Sequence, residues 1–415
     1  MKKKHIKQKS IFLKKKIYIL SDCFIPTRNS ASGMIYNLSK SLMKDGALVT
    51  CIHSGKNPNN NAVAFKDYDL EGLNFITSNL FTSFRNKNVF YRFVFETGLS
   101  ISLTLKLLCL FKKVKEVDLI IWYGPSAFLW LPAFFVKLMS KAPLYYILRD
   151  IFPDWLLSIG LVRNKALYYI LNFLTYPQYI IPDKIGIETE KNLPLILKKV
   201  HRKKCIEVLY NWPSIYEIKN KILKNNIQAY TAKISKSKKN KQIIGIYTGN
   251  LGNAQDSENI LNFLNNQKIN NIIKIFFYSP KQYNNLCLNT PFEFKKAVPE
   301  YELPALFEFS DFGLVSLNKN LISHNIPGKF VSYTQFGLPI LCFCNKNSKL
   351  AKLIIEYKCG IVIDYEDDQK LNFRKLMTFY NKIKIKNNNY SQNSQKLFEK
   401  YFDLEKVKTK LIKII

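Results

Sequence analysis

The feature that most constrains this chain is an alternation of short, β-branched apolar runs with polar or glycine-containing turns and helix-period segments, present twice with one break between. Such alternation builds βαβ units, and βαβ units build parallel sheets covered by helices on both faces. In the first series, strands are expected at Lys16–Leu20, Leu48–Ile52, Asp118–Trp122, Leu144–Leu148, Lys184–Glu188 and Ile206–Leu209, with a helix from Gly33 through Met43. From about Trp212 to Lys241 the pattern dissolves into a Lys- and Asn-rich stretch that no core could use. The rhythm then restarts, with strands expected at Ile243–Tyr247, Ile272–Tyr278, Phe312–Leu317, Pro339–Phe343 and Gly360–Ile363 and a helix near Glu258–Leu264.

This reads as α/β with two Rossmann-like domains, at 1–211 and 242–395, joined by a basic linker at 212–241; a last helix at 396–415 is expected to pack back on the first domain. A chain of 415 residues is too long for one typical core. With 47% hydrophobic residues and only 15 Gly and 16 Pro, it has ample material for two. In open parallel sheets ligands sit outside the carboxyl ends of the strands, and two such domains facing each other make a deep cleft. Functional residues are therefore expected just after strands.

The formal net charge of +33 attracts phosphate-rich partners, whether nucleic acid, anionic membrane or a phosphorylated substrate, although a Lys-, Asn- and Ile-heavy composition also reflects AT-rich coding. The eight cysteines form no C-x-x-C and read as small core residues in a reducing compartment. The Lys-rich N-terminus precedes an apolar run, Ile17 to Leu20, too brief for a signal-peptide core, so no secretion is expected. Leu119 to Val136 is free of charge, but Gly124-Pro125-Ser126 and Pro132 interrupt it. A strand, a turn and an apolar helix explain it better than a membrane span.

Four segments can carry chemistry. Ile243 to Gly252 is a buried strand running into a turn, Gly249-Asn250-Leu251-Gly252, where missing side chains let backbone N–H groups approach a phosphate; an ordinary βα turn is the alternative. Asn325-Ile326-Pro327-Gly328-Lys329-Phe330 begins like a helix, with Pro327 suited to its first position and the Lys329 ammonium in its first turn. Free N–H groups and the positive end of the helix dipole favour an anion there. Asp150 ends an apolar strand and either accepts a sugar hydroxyl or pairs with Arg149. The polar loop Asp22 to Gly33 opens a helix at Gly33 and offers another set of backbone donors. No G-x-G-x-x-G, G-x-S-x-G, Walker loop or metal-spaced histidine pair is present, so neither a dinucleotide cofactor nor metal catalysis is suggested.

Taken together, Leu148-Arg149-Asp150-Ile151-Phe152-Pro153-Asp154-Trp155, Leu209-Tyr210-Asn211-Trp212, Tyr247 to Gly252, and Asn325 to Phe330 followed by Gly337-Leu338-Pro339 resemble glycosyltransferase family 4. The branch they look like includes N-acetylfucosamine-type transferases of O-antigen and capsule assembly. The resemblance spans nearly the whole chain in order and spacing. It implies a GT-B fold and an enzyme that takes sugar from a nucleotide-diphosphate sugar, UDP-linked, with retention of configuration and without cofactor or metal. It implies an N-terminal acceptor domain and a C-terminal donor domain. Gly249, Asn250 and Gly252 would lie beside the diphosphate, with Gly328 and Lys329 neutralising the leaving group and Asn325 beside them. Gly33 would offer a backbone donor, and Asp150 would face the transferred sugar.

The pattern departs from that family in two places. Many members carry two Glu eight positions apart where this chain has His324 and Ser332, so the usual carboxylate on the ribose is replaced, with Ser332 offering a hydroxyl. Members often have Arg and Lys after the first turn, whereas Asn250 and Asn253 stand here, leaving Lys329 as the clearest phosphate cation. The branch further implies a polyprenyl-diphosphate-linked oligosaccharide acceptor and work in the cytoplasm at the membrane face. Lys2 to Lys16 would hold the protein against anionic lipid. Nucleic acid is not an expected partner, since no RNP-like strand, helix-turn-helix or zinc finger is evident. A GT-B sugar-nucleotide epimerase is disfavoured because its carboxylate and His constellation is not found.

Overall fold

The computed structural model describes the chain except residues 1–11, 28, 58–67, 86–88, 159–161, 163, 201–205, 215–241, 253–254, 266, 281–291, 320–325 and 386–388. It divides into two compact units, Met1–Tyr210 with Leu404–Ile415, and Asn211–Asp403. The expected linker at 212–241 falls outside the described residues beyond Ser214. The returning segment, expected over 396–415, begins at Leu404; the helix before it, Tyr390–Tyr401, belongs to the second unit.

The first unit holds a seven-stranded sheet of order β3-β2-β1-β4-β5-β6-β7, every pairing parallel. Its strands are β1 (Lys16–Leu20), β2 (Leu48–Ser54), β3 (Asn74–Ser78), β4 (Leu119–Tyr123), β5 (Leu144–Leu148), β6 (Lys184–Ile187) and β7 (Ile206–Val208). The central strands β4 and β5 are buried along their whole length, as the continuous apolar runs LIIWY and LYYIL require of strands covered on both faces. Trp122 and Tyr146 stack across the β4–β5 pair with ring centroids 4.0 Å apart. The helices that follow are α1 (Ser30–Lys44), α2 (Val89–Cys109), α3 (Trp130–Ser140) and α4 (Lys165–Thr175). Asn29 caps α1 by accepting from the Ser32 amide, so this helix starts three residues before the expected Gly33. The charge-free stretch from Leu119 resolves into β4, a turn and α3, and no helix among the described residues is long and apolar enough to cross a membrane.

The second unit repeats the plan with six parallel strands ordered β10-β9-β8-β11-β12-β13. They are β8 (Ile243–Thr248), β9 (Ile273–Ser279), β10 (Phe292–Lys296), β11 (Phe312–Ser316), β12 (Ile340–Phe343) and β13 (Gly360–Ile363). Helices α5 (Ser257–Leu264), α6 (Gly328–Gln335), α7 (Lys349–Tyr357), α8 (Gln369–Lys384) and α9 (Tyr390–Tyr401) accompany them, and α10 (Leu404–Ile412) closes the first unit. In both sheets the order reverses beside the first strand of the unit, between β1 and β4 and between β8 and β11. These reversals are the switch points at which ligands of doubly wound sheets bind. The described cysteines are all free, and all but Cys109 are buried.

Candidate functional site

In the second unit the switch point is built by three side chains. Tyr247, on the last turn of β8, is fully buried and donates its hydroxyl to the Asn250 carbonyl at 2.6 Å, which folds the Gly249–Asn250 turn back over the strand end. Tyr333, on α6, places its hydroxyl to accept from the Thr248 amide at 3.0 Å and to donate to the Ile246 carbonyl at 3.2 Å. Helix α6 is thereby pinned to the end of β8. Gly313 on β11 admits this ring, since a Cβ there would meet it at 2.3 Å. Lys329, in the first turn of α6, then lies with Nζ 3.4 Å from the centroid of the Tyr247 ring.

Part of the Lys329 stem is solvent-accessible, but its Nζ is buried and makes no hydrogen bond among the described residues. Burial alone holds its pKa well below the usual lysine range. An ammonium in this position costs a great deal unless it is paired, and the ring quadrupole compensates only part of that. A Cβ built on Gly249 would stand 3.9 Å from Lys329 Nζ, in ordinary contact, so the turn borders the amine. Gly249 has φ +103°, a conformation that only glycine adopts readily. Of the first N–H groups of α6, those of Phe330 and Val331 bond the Pro327 carbonyl at 2.9 and 3.4 Å, which leaves those of Gly328 and Lys329 without an acceptor inside the helix.

The other expected residues fall as follows. Gly249 N–H is engaged with the Tyr278 carbonyl at 2.9 Å, so this amide serves the sheet and is not a phosphate donor as expected. Asn250 is exposed. Gly252 has no positive φ and its carbonyl accepts from the Gln255 amide at 2.9 Å, the bond of an ordinary turn. Pro327 caps α6 and Gly328 is its first residue, one position later than expected. The Ser332 hydroxyl is buried and donates to the Gly328 carbonyl one turn back at 3.2 Å, which commits its proton to the helix and leaves it only an acceptor. His324 and Asn325 lie outside the described residues. A cavity of about 350 Å³ opens nearby in the fold, at the carboxyl ends of β12 and β13, lined by Asn262, Phe343, Asp364, Tyr365 and Asn372; none of the expected residues lines it. Glu300, just after β10, is pushed by burial to about 8 and is therefore largely protonated at neutral pH.

In the first unit the carboxyl ends of β1, β4 and β5 gather a second set of charges. Asp150 follows β5; burial raises its pKa first, the Arg92 charge opposes this, Asp22 adds to it, and Arg149 opposes it. Arg149 turns its guanidinium to the Leu209 and Tyr210 carbonyls, at 2.7 and 3.5 Å. Asp22, after β1, is bound through one oxygen by Arg85 at 2.8 Å, while the other is buried with no hydrogen-bond partner among the described residues. Arg92 on α2 holds Glu96 at 2.9 Å, and Ser126, after β4, donates to the second oxygen of Glu96 at 3.2 Å. Gly33 is buried in the first turn of α1 and its amide bonds the Asn29 carbonyl, so it presents no free donor.

Sequence reasoning missed Tyr247 and Tyr333 as builders of the lysine site and Asp22, Arg85 and Glu96 as companions of Asp150. Only the place of Asp22 immediately after β1 signalled it.

No family model and no characterised protein sequence matches the chain. Solved structures do. Anabaena Alr3699/HepE in complex with UDP and glucose is 13% identical, covering 96% of this chain and 98% of its own, at a TM-score of 0.61. WaaG, a glycosyltransferase involved in lipopolysaccharide biosynthesis, is 12% identical over 96% and 99% of the two chains, at 0.61. A trehalose-6-phosphate protein from E. coli bound with UDP-2-fluoro glucose is 13% identical over 97% and 100%, at 0.63. At such identities the likeness establishes the fold: the two parallel α/β sheets of this chain are those of the GT-B architecture.

Proposed function

We propose that this chain is a glycosyltransferase that moves a sugar, with retention of configuration, from a UDP-linked donor to a growing polyprenyl-diphosphate-linked oligosaccharide at the inner membrane face. The observation that carries the reading is the buried Lys329 Nζ, held over Tyr247 beside the turn at Gly249 and the start of α6, with no hydrogen-bond partner of its own among the described residues. A diphosphate would draw a proton onto this amine and pair with the resulting ammonium, and the developing charge of a departing nucleotide would be met by that ammonium and by N–H groups at the start of α6. No divalent metal is required by such a site. Two of the structurally similar proteins named above were solved with UDP or a UDP-sugar, which supports UDP as the nucleotide. Family 4, and its O-antigen and capsule branch, rests on the motifs around Asp150, Gly249 and Lys329. In the first unit, Asp150 and the half-satisfied Asp22 would receive hydroxyls of the sugars.

Calorimetry with UDP and GDP, on the protein and on Lys329→Ala, without divalent metal, tests this. UDP binding that weakens by about tenfold or more in the variant is expected, since a charge-assisted hydrogen bond contributes roughly 1.5–3 kcal/mol. Folded protein that binds neither nucleotide would remove the site, and a salt-dependent shift of random DNA indifferent to UDP would put nucleic-acid binding in its place.

A further inference from the structure

Helix α4 exposes an apolar face that the rest of its unit leaves uncovered. From Ala166 to Pro182 no side chain carries a charge. The helix turns Leu171 and Thr175 inward, where Leu171 packs with Leu156 and Val162, and its start is fixed by Asn164, which accepts from the Ala166 and Leu167 amides. Outward it presents Phe173 at 79% exposure, Tyr169 at 66%, Ile170 at 56%, Leu167 at 43% and Leu174 at 38%. Single exposed apolar residues are ordinary on any surface. Five large ones on one short helix form a patch of the kind that marks an interaction site.

We infer that this face docks on an anionic lipid bilayer, with α4 lying in the interface plane. The inference rests on the reading that the protein works at a membrane, and assigns the surface that meets it. A helix of 11 residues is roughly 16 Å long, far too short to span the hydrocarbon core. Its length and its mixture of Phe, Tyr, Leu and Ile suit shallow burial at the headgroup boundary. Charge selects lipid over a second copy of this chain: two molecules each at +33 repel, whereas an anionic surface attracts. Exposed Lys165 begins the helix, and exposed Lys198 precedes Lys199, which reaches Asn172 on α4 at 3.1 Å. The adjacent carboxylate, Asp154, is already neutralised by Lys199 at 2.7 Å.

The test is co-sedimentation of the full chain with phosphatidylglycerol–phosphatidylcholine vesicles and with phosphatidylcholine alone. It compares the protein, the double variant Ile170→Ser with Phe173→Ser, and a control, Ile355→Ser, which removes an equally exposed residue from the second unit. The protein and the control are expected to pellet with anionic vesicles, and the double variant to partition at least about tenfold less, given the transfer free energy of two such side chains. Unchanged UDP binding and thermal midpoint would show that the variant is folded. A double variant that pellets like the protein overturns the assignment of α4 and leaves membrane attachment to the Lys-rich N-terminus. A protein that pellets with neither vesicle overturns the assignment together with the membrane reading. A dimer in sedimentation velocity that the double variant dissolves overturns it in favour of a chain–chain contact.

Discussion

Lys329 Nζ stands 3.4 Å from the centroid of the Tyr247 ring, and the same tyrosine donates its hydroxyl to the Asn250 carbonyl. One side chain thus seats the cation and shapes the turn that leads to it. Because the cation is buried without a hydrogen-bonding partner among the described residues, its proton is weakly held until an anion arrives.

Nucleotide binding is therefore expected to take up a proton. As pH rises through the depressed pKa of Lys329, UDP affinity should fall by up to about tenfold per pH unit. Calorimetry in buffers of different ionisation enthalpy reads the uptake directly. It should vanish in Lys329→Met, and heats that do not depend on the buffer in the unaltered protein would show that another group carries the charge.

Tyr333→Phe removes the acceptor of the Thr248 amide and the donor to the Ile246 carbonyl, both at the end of β8. Leaving those buried groups unsatisfied should cost about 1–3 kcal/mol of stability, measured by urea denaturation. UDP binding should weaken as well, because α6 loses its tie to β8. Gly313→Ala should act in the same direction by forcing the Tyr333 ring aside.

How much of this was legible beforehand follows from where each residue lies in its sheet. The inner strands are apolar over most of their length and readable as such, and so are the edge strands β7 and β13; the two that were not, β3 and β10, are edges whose short sequences, Asn74-Phe75-Ile76-Thr77-Ser78 and Phe292-Glu293-Phe294-Lys295-Lys296, carry as many polar residues as apolar ones or more. An edge tolerates such residues, so a search for apolar runs passes over these two. Lys329 stood out because a cation in the first turn of a helix is locally unfavourable. Its partner Tyr247 did not, since a tyrosine in a strand is ordinary and only the packing of α6 against β8 gives it a second task. The donor bond of Ser332 was equally hidden: a hydroxyl on a helix readily bonds the carbonyl one turn back, as this one does.

Acid should destabilise the first unit through His53. Its ring is stacked with Phe24 at 5.0 Å and buried, and burial lowers its pKa to about 4, against the smaller opposing effect of the Ser54 carbonyl. The unfolded chain binds a proton near the ordinary value of about 6.5 while the folded one does not, so stability is full above that pH and declines as pH falls toward about 4. The loss amounts to roughly 3 kcal/mol at 1.36 kcal/mol per unit. Denaturation midpoints between those two pH values should flatten in His53→Phe.

Asp150→Asn should leave UDP affinity unchanged, since the proposed role of Asp150 is toward the sugar hydroxyls and not the nucleotide, yet lower the rate of sugar transfer by about 10² if the carboxylate handles a hydroxyl proton. Equal turnover of variant and parent would return Asp150 to a purely structural place among Arg92, Asp22 and Arg149.

The second unit, Asn211–Asp403, is an insertion within the first, whose last element is α10. That helix is fastened to Asp45 by Lys408, nearly inaccessible, at 2.7 Å, and the same ammonium pairs within the helix with Glu405 at 2.6 Å. On the ribosome the inserted unit is complete before α10 has emerged, so the first unit must wait through the whole synthesis of the second with its Asp45 side unclosed. A chain released before α10 would carry a finished second unit and an unfinished first one. Quality control during translation, more than loss of the lysine site, would then decide the fate of late nonsense alleles.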